Sequence, residues 1–264
     1  MTELLLREDR DHVARLTMNA PATLNALSDA MLAALKAEFL RLKEDRTIRV
    51  VILSGAGRAF CAGHDLREMQ AARQSADDGA AAFADLFARC AEVMQMIPAL
   101  PQPVIAEVHG IATAAGCQLV ASCDMAVAAA GTRFGVNGVN IGLFCSTPMV
   151  ALTRAVPPRA AFEMLVTGEF IGAERACALG LVNRVVEPGD LAAETDRLAA
   201  MIAAKLTAVV AIGKRAFHDQ NGLPLEAAYR LTGEVMTRNM LMHDTEEGIA
   251  AFLEKRPARP AGGA

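Results

Sequence analysis

The residues best placed for chemistry lie in a stretch of small side chains at residues 103–148, where backbone N–H groups are the candidate functional groups. An apolar run ends at His109, a turn of sequence ATAAG follows at residues 112–116, and an apolar helical pattern begins near Cys117. The first N–H groups of a helix have no intrahelical acceptor, and small side chains let a ligand approach them closely. This stretch therefore predicts a turn that binds a ligand oxygen through backbone amides.

A second segment, residues 54–69 (SGAGRAFCAGHDLREM), has the same order of strand, small-residue turn and helix start. Asp65 is predicted to cap the short helix at residues 66–70, because its carboxylate can accept from free amides there. Two such turns placed side by side would offer two N–H donors to one oxygen. That arrangement stabilises negative charge developing on the oxygen.

Side chains that transfer protons are scarce around these turns. Between residues 100 and 160 the carboxylates are Glu107, within a strand, and Asp124, at a strand start, so structural hydrogen bonds are favoured for both. Cys145 is a candidate base or nucleophile, but no Lys or His beside it in sequence would lower its thiol pKa. A small buried residue is the alternative for Cys145. The imidazole of His64 can titrate near neutral pH.

Several other motifs are incomplete or absent from the sequence. Gly55-x-Gly57 follows a strand, but Phe60 occupies the third glycine position of a dinucleotide fingerprint, so a tight turn is favoured. There is no phosphate-binding loop and no G-x-S-x-G nucleophile elbow. The cysteines form no C-x-x-C pair and the histidines are isolated, so reduced thiols and no metal site are predicted.

Composition narrows the function classes further. The chain has 264 residues, 53% of them hydrophobic, without an apolar run of membrane-spanning length, so no membrane partner is expected. A net charge of −4 argues against nucleic acid as the main partner. The start of the sequence has neither an apolar signal core nor an Arg-rich, acid-poor transit pattern, which predicts a cytoplasmic protein.

Hydrophobic periodicity predicts the elements that position the two turns. Up to about residue 147 strands alternate with helices, and beyond it the strand signals fade and seven helices are predicted. This alternation indicates an α/β architecture with crossover connections. The predicted strands are 4–6, 13–18, 50–53, 104–108 and 125–129, and the helices that alternate with them are 29–44, 80–97 and 116–122.

Six segments in order make the chain similar to the crotonase (enoyl-CoA hydratase/isomerase) superfamily over nearly its whole length. Residues 142–148 (GLFCSTP) look closest to the subgroup of enoyl-CoA hydratase domain-containing protein 3. The six segments are NAPATLNALS (19–28), AFCAGHDL (59–66), VIAEVHGIATAAGCQL (104–119) followed by Asp124, the pair Phe134-Gly135, TGEFIGAERACALGLVNRVV (167–186) and GIAAFLEKR (248–256).

The resemblance implies a crotonase-like spiral of ββα turns with two nearly perpendicular sheets. Residues 1–200 would form the core, and residues 201–264 a helical trimerisation region. Position by position, the oxyanion-binding amides would be those of His64 and Ala115. The ligand would be an acyl-CoA thioester, with coenzyme A as part of the substrate and no separate cofactor. Coenzyme A contacts would come from Ala22, Leu24, Ala62, Leu66, Phe252 and Lys255.

Two departures from the superfamily pattern limit the functional inference. Hydratases that the chain resembles carry one glutamate at the position of Gln118 and another at the position of Gly138. Proton transfer by a carboxylate commonly contributes about 10²–10⁴-fold, and neither residue here can supply it. Ordinary hydration is therefore doubtful.

Three classes of function remain open at this point. The first is an acyl-CoA enzyme, such as an isomerase or thioesterase, that uses Cys145 or a base supplied by the substrate. The second is an acyl-CoA-binding protein without catalysis. The third, a nucleotide-cofactor oxidoreductase, is weak because the fingerprint at Gly55 fails.

Assembly gives the first testable prediction. The apolar residues between positions 225 and 253, among them Tyr229, Val235, Met236 and Met240, exceed what one helical face needs to cover its own domain. We expect this region to pack against neighbouring copies in a closed homotrimer or hexamer. Light scattering at micromolar concentration should give a mass that is a multiple of three chains. A stable monomer would contradict the prediction.

Overall fold

The computed structural model describes residues 3–257, which divide into two compact units. The first unit ends at Ala203 and the second begins at Ala204. The first contains all the strands of the described residues and eight of their eleven helices, and the second contains three helices. The α/β class with two sheets, predicted from the sequence, is confirmed.

Six strands of the first unit form the larger sheet, in the order β1-β2-β3-β4-β6-β9. The first two form an antiparallel hairpin, and every later pairing in this sheet is parallel. A smaller sheet has the order β5-β7-β8. In chain order the strands are β1 Leu5–Arg10, β2 Val13–Met18, β3 Val50–Gly55, β4 Val104–Val108, β5 Ile111–Thr113, β6 Met125–Ala129, β7 Arg133–Gly135, β8 Ile171–Gly172 and β9 Arg184–Val186.

The helices of the first unit are α1 Asp29–Glu44, α2 Leu66–Ala72, α3 Ala80–Ala99, α4 Ala115–Ser122, α5 Pro148–Ala155, α6 Pro158–Thr167, α7 Ala173–Leu179 and α8 Leu191–Ala203. Those of the second are α9 Thr207–Gln220, α10 Leu225–Met240 and α11 His243–Leu253. Short 3-10 helices lie at Pro21–Thr23, Asn137–Ile141 and Pro188–Asp190. No helix among residues 3–257 is both long enough and apolar enough to cross a bilayer.

Both faces of the larger sheet are buried, which is why its central strands are continuous apolar runs. On one face, Ile52 of β3 and Ile105 of β4 pack with Leu198 of α8. On the other, Leu53 belongs to the main core with Phe39 of α1. The side chains alternate between the two faces because successive residues of a strand point in opposite directions.

Four strands were absent from the sequence prediction. Strands β8 and β9 lie beyond residue 147, where only helices were predicted. Strand β5 overlaps the turn predicted at residues 112–116, and β7 follows the predicted strand at residues 125–129. Each has two or three residues, too short for a period-two pattern to be visible. Their pairing is set by distant partners, such as Val127 of β6 opposite Arg184 of β9.

The second unit exposes large apolar side chains on α10 and α11. Tyr229, Met236 and Leu241 are mostly exposed, as are Phe252 and Leu253 at the end of α11. Exposed apolar side chains in such number are typical of a surface that a partner covers.

Candidate functional site

The two predicted turns lie side by side in the structure. Strands β3 and β4 are parallel neighbours, so the chain leaves both at the same edge of the larger sheet. Beyond that edge Cys61 N–H donates to the Ile111 carbonyl at 3.2 Å, and Thr113 N–H donates to the Cys61 carbonyl at 3.0 Å. These two backbone hydrogen bonds align the first turn with the second.

Glycines allow the close approach of the two turns. A Cβ on Gly63, whose φ is +92°, would lie 3.0 Å from the Ala114 Cβ and 3.4 Å from the Ala115 nitrogen. A Cβ on Gly116 would lie 2.2 Å from the Cys61 carbonyl oxygen. Any side chain at Gly116 would therefore push the start of α4 away from the first turn.

Ala114, the residue before α4, has a backbone conformation that side-chain-bearing residues rarely adopt. Its φ is +50° and its ψ is −118°. Such conformations cost about 1–3 kcal/mol and persist where the surroundings impose them. Here the Ala114 N–H donates to the Gly135 carbonyl at 2.9 Å, and its carbonyl accepts from Gln118 N–H at 3.0 Å. These contacts fix the direction of the next N–H, that of Ala115.

The amides of His64 and Ala115 are free. Within residues 3–257, neither N–H donates to a backbone or side-chain acceptor. Ala115 is 1% exposed, and more than about 90% of buried backbone N–H groups in proteins are paired. Two unpaired N–H groups on adjacent turns are available to donate to a ligand oxygen, and their role in binding one stays a prediction.

Gln118 lies on α4, one turn after the free amide of Ala115. The residue is 5% exposed, and its Oε1 is buried without a hydrogen-bond partner among the described residues. A glutamine side chain has an acceptor and two donors but no charge at neutral pH. It can therefore orient a ligand group, whereas it cannot accept a proton as a glutamate would.

Gly138 lies in the 3-10 helix Asn137–Ile141 and is buried. A Cβ there would lie 2.2 Å from the Leu143 carbonyl oxygen and 2.9 Å from the Cys145 Sγ. The Leu143 N–H also donates to the Gly138 carbonyl at 3.0 Å, which holds the loop closed on itself. Steric exclusion, rather than a positive φ, makes glycine necessary at this position.

Cys145 occupies the space that a side chain at Gly138 would need. The residue is 6% exposed, and burial raises the pKa of its thiol, while a hydrogen bond from the Gly138 N–H acts in the opposite direction. The nearby Cys117 is fully buried, and burial raises its thiol pKa to about 12. A neutral thiol at physiological pH favours a packing role for Cys145 over that of a base or nucleophile.

The imidazole of His64 contacts the Leu27 carbonyl and the ring of Phe87. Its Nδ1 lies 3.3 Å from the Leu27 carbonyl oxygen, and its ring makes an edge contact with Phe87. Burial lowers the pKa of His64, so the ring is neutral at pH 7. Nδ1 then carries the proton that it donates to Leu27, and the buried Nε2 is an acceptor without a partner among the described residues.

The three carboxylates named in the sequence analysis, those of Asp65, Glu107 and Asp124, each form a hydrogen bond or an ion pair within the fold. Asp65 caps α2 by accepting from the Arg67 N–H at 2.8 Å. Glu107 forms an ion pair with Arg15 at 2.7 Å, and one oxygen of Asp124 accepts from a backbone N–H of β4. Within the described part of the chain, no group of three His, Cys, Asp or Glu side chains is placed to hold a metal ion.

The residues predicted to contact coenzyme A fall into two sets. In the first unit the Ala62 N–H donates to the Leu24 carbonyl at 3.0 Å, and Ala22 and Leu66 are exposed nearby in sequence. The other set, Phe252 and Lys255, belongs to the second unit, where both are exposed. The roles of both sets stay predictions.

Sequence analysis did not assign a role to Asn25, which joins the segment at residues 19–28 to the first turn. Asn25 is fully buried and in the left-handed region, with φ +54°. Its Nδ2 donates to the carbonyls of Ala56 and Ala59, each at 2.8 Å, and its Oδ1 accepts from the Ala20 N–H at 2.9 Å. The segment also contains Asn19, Thr23 and Ser28, so the sequence alone does not single out Asn25 as the buried polar residue.

A side-chain hydrogen bond joins the second turn to the loop that contains Gly138. The Thr113 hydroxyl donates to the Asn137 side-chain oxygen, and Asn140 Nδ2 donates to the Gly168 carbonyl at 3.2 Å. Both asparagines therefore fix the geometry of the loop through these hydrogen bonds. The contact of Thr113 with Asn137 places the Ala115 turn and the Gly138 loop next to each other.

Comparison with known proteins identifies the family. A model of the enoyl-CoA hydratase/isomerase family matches residues 8–260. The chain therefore belongs to this family, and the resemblance seen in the six sequence segments is confirmed.

Individual relatives agree with the subgroup indicated by residues 142–148. The chain is 46% identical over 255 residues to enoyl-CoA hydratase domain-containing protein 3, mitochondrial, of Xenopus laevis, covering 97% of this chain and 85% of that protein. The Homo sapiens protein of the same name is 45% identical over 246 residues, covering 93% and 80%. A crystal structure of enoyl-CoA hydratase from Mycobacterium smegmatis has a TM-score of 0.94 and 53% identity, covering 98% of this chain and 99% of that one.

The predicted cytoplasmic location is wrong on this comparison. The Xenopus and human relatives both carry the word mitochondrial in their names. The prediction rested on the composition of the first residues. The composition of these residues is therefore not a sufficient basis for assigning a compartment.

The crowding at Gly138 gives a prediction about stability. Replacing Gly138 with alanine places a Cβ against the Leu143 carbonyl and the Cys145 thiol, and overpacking of this kind typically costs about 1–3 kcal/mol. Urea unfolding should show that loss. Gly189→Ala is the matched control, because Gly189 also lies in a 3-10 helix but has open space at its Cβ position. Equal stability of the two variants would contradict the steric argument.

Proposed function

We propose that this protein binds an acyl-CoA thioester and polarises its carbonyl between the N–H groups of His64 and Ala115. One observation carries the proposal: these two amides lie on adjacent turns and have no acceptor among the described residues. Membership of the enoyl-CoA hydratase/isomerase family supports the choice of a thioester as the ligand. Two N–H donors aimed at one carbonyl oxygen stabilise the enolate-like charge that several acyl-CoA reactions share.

Hydration of an enoyl thioester is not favoured at this site. That reaction needs a group that takes a proton from water, and the two positions expected to supply it are Gln118 and Gly138. Gln118 is uncharged, and Gly138 is enclosed by Leu143 and Cys145. The raised pKa of the Cys145 thiol leaves it a poor substitute base.

Two modes of action fit such a site. In the first, the protein catalyses a reaction that requires carbonyl polarisation and takes its base from the substrate or from Cys145. In the second, it binds the thioester without turnover. The neutral thiol and the uncharged Gln118 favour the second mode, since no described group at the site is arranged to transfer a proton.

The remaining parts of the proposal concern coenzyme A and assembly. Ala22, Leu24, Ala62 and Leu66 would line the coenzyme A pocket, and Phe252 and Lys255 would contact the nucleotide or the pantetheine arm. The hydrogen bond from the Ala62 N–H to the Leu24 carbonyl supports the first group, because it joins the segment at residues 19–28 to the first turn. The exposed apolar side chains of α10 and α11 support a homotrimer or hexamer.

The carbonyl-binding role can be tested by removing one donor. Ala115→Pro deletes the N–H at the first position of α4, where helices tolerate proline. Affinity for butyryl-CoA should fall by about tenfold, the effect of one lost hydrogen bond to a desolvated carbonyl. Affinity for coenzyme A itself, which has no acyl carbonyl, should stay within about twofold. Calorimetric titration of both ligands measures the difference.

Ala114→Gly is the matched control for this substitution. It relieves the strained backbone at φ +50° and keeps both N–H donors, so butyryl-CoA affinity should be unchanged and stability unchanged or higher. An equal loss for both ligands in Ala115→Pro would show general damage instead of a lost donor. Unchanged butyryl-CoA affinity in that variant would refute the role of the Ala115 amide.

A second test concerns turnover of crotonyl-CoA. The unmodified protein should hydrate it at least about 100-fold more slowly than a relative with both glutamates, because proton transfer is missing. Gln118→Glu introduces a carboxylate on α4 and should raise the rate by at least about tenfold. Gly138→Glu is not combined with Gln118→Glu in this test, because a Cβ at position 138 would collide with the Leu143 carbonyl oxygen. Consumption of the enoyl thioester measures both rates.

Gln95→Glu is the control for the added charge, because Gln95 is exposed on α3. Its hydration rate should equal that of the unmodified protein. Fast hydration by the unmodified protein would show that another group activates water, and Cys145→Ser would then identify or exclude the thiol.

A further inference from the structure

Resting on the proposed thioester site, we propose that His109 is a positioning residue, which holds the first turn at the distance from the second that lets both free amides reach one oxygen. His109 follows β4 directly and is half-buried. Its Nε2 lies 2.9 Å from the Gly57 carbonyl oxygen. A carbonyl oxygen can only accept, so Nε2 carries the proton and is the donor of this hydrogen bond.

The bond from His109 is one of four hydrogen bonds that join the first turn to residues 109–113. The Phe60 N–H donates to the His109 carbonyl at 3.1 Å, and the backbone of Cys61 forms two more bonds with this segment. Three of the four bonds therefore join backbone atoms. The contact with Gly57 is the one that a change of side chain can remove.

Close packing on both sides gives the Gly57 carbonyl a fixed place. Gly57 has φ +80°, and a Cβ there would lie 2.7 Å from the Pro21 Cβ. A Cβ on Gly110, whose φ is +64°, would lie 2.1 Å from the Arg58 carbonyl oxygen. The loop at residues 57–58 is thus enclosed, and the imidazole that reaches it sets the separation of the two segments where they first meet.

Asn25 holds the same loop but does not duplicate the role of His109. Its side chain donates to the carbonyls of Ala56 and Ala59, and so ties the loop to residues 19–28. His109 ties it instead to the end of β4, from which the chain enters the second turn. Among the side-chain contacts described for residues 56–59, that of His109 connects the two turns that carry the free amides.

The separation of the turns matters because one oxygen must lie within hydrogen-bond distance of both the His64 and the Ala115 N–H. Such bonds form at about 2.7–3.2 Å and weaken beyond that range. A small displacement of the first turn should therefore cost carbonyl binding. Coenzyme A without an acyl group has no such carbonyl, so its binding should be affected much less.

The test measures the affinities of butyryl-CoA and coenzyme A by calorimetric titration and takes their ratio as the acyl preference. His109→Met keeps a side chain of similar length and removes the donor, so the acyl preference should fall by about fivefold, the effect of one hydrogen bond. Affinity for coenzyme A itself should stay within about twofold. In His109→Gln, whose Nε2 can donate at about the same distance from the backbone, the acyl preference should be kept within about twofold.

His12→Met is the matched control. The His12 Nδ1 also lies 2.9 Å from a carbonyl oxygen, that of Thr47, but at the turn between β1 and β2, near the end of β3 that is opposite the first turn. This variant loses a bond of the same kind and should keep the full acyl preference. If His109→Met does not fold, His109→Asn replaces it, because the shorter side chain keeps an amide that ends short of Gly57 and should lose the preference as well.

The outcomes separate this inference from the proposed function. A full acyl preference in His109→Met would overturn the role of His109 and leave the carbonyl site intact. An equal loss of affinity for both ligands, or the same loss in His109→Gln or in His12→Met, would show a general structural effect and also overturn it. Failure of the unmodified protein to bind butyryl-CoA more tightly than coenzyme A would refute the proposed function and this inference together.

Discussion

The close packing of two backbone turns is the constraint on which the candidate site depends. It requires glycine at Gly63 and Gly116, because a Cβ at either position would meet the other turn at 3.0 Å or less. It also requires the parallel pairing of β3 with β4, which directs both turns to one edge of the sheet. The strained conformation of Ala114 follows from the same constraint, since its N–H and carbonyl are both held by neighbours. As a consequence of this packing, the N–H groups of His64 and Ala115 lie on adjacent turns and have no acceptor among the described residues.

The two positions at which the sequence analysis expected glutamates, Gln118 and Gly138, differ from a glutamate in different ways. Gln118 keeps the size and hydrogen-bonding capacity of a glutamate and loses only its charge, so the site retains a polar group. Gly138 loses the side chain altogether, and the Leu143 carbonyl and Cys145 thiol fill its space. Because these contacts depend on each other, restoring a carboxylate at Gly138 would require changes in the loop that includes Leu143 and Cys145. The site therefore keeps two unpaired amides and has no carboxylate at either of these positions.

Burial decides the chemistry of the remaining candidate groups. The thiol of Cys145 and the imidazole of His64 both lie where a charged form is disfavoured, since burial raises the pKa of the one and lowers that of the other. Both groups are neutral near pH 7, and so is Gln118. A site of neutral donors and acceptors can hold and polarise a thioester, whereas it has little capacity to move protons.

The sequence by itself determined the α/β class, most of the longer elements and the two small-residue turns, because these depend on local periodicity and on glycine and alanine spacing. The helix Asp29–Glu44 and the strand Val104–Val108 were predicted with the bounds that the structure shows. The short strands β8 and β9 were not, because two or three residues carry no pattern and distant partners define them. Only the tertiary structure decided that Gly138 excludes a side chain, that Cys145 is enclosed and that the Gln118 amide lacks a partner. The first depends on the path of the loop, which folds Leu143 and Cys145 back against Gly138, and the other two depend on burial. Neither the loop path nor burial can be read from the residue types alone.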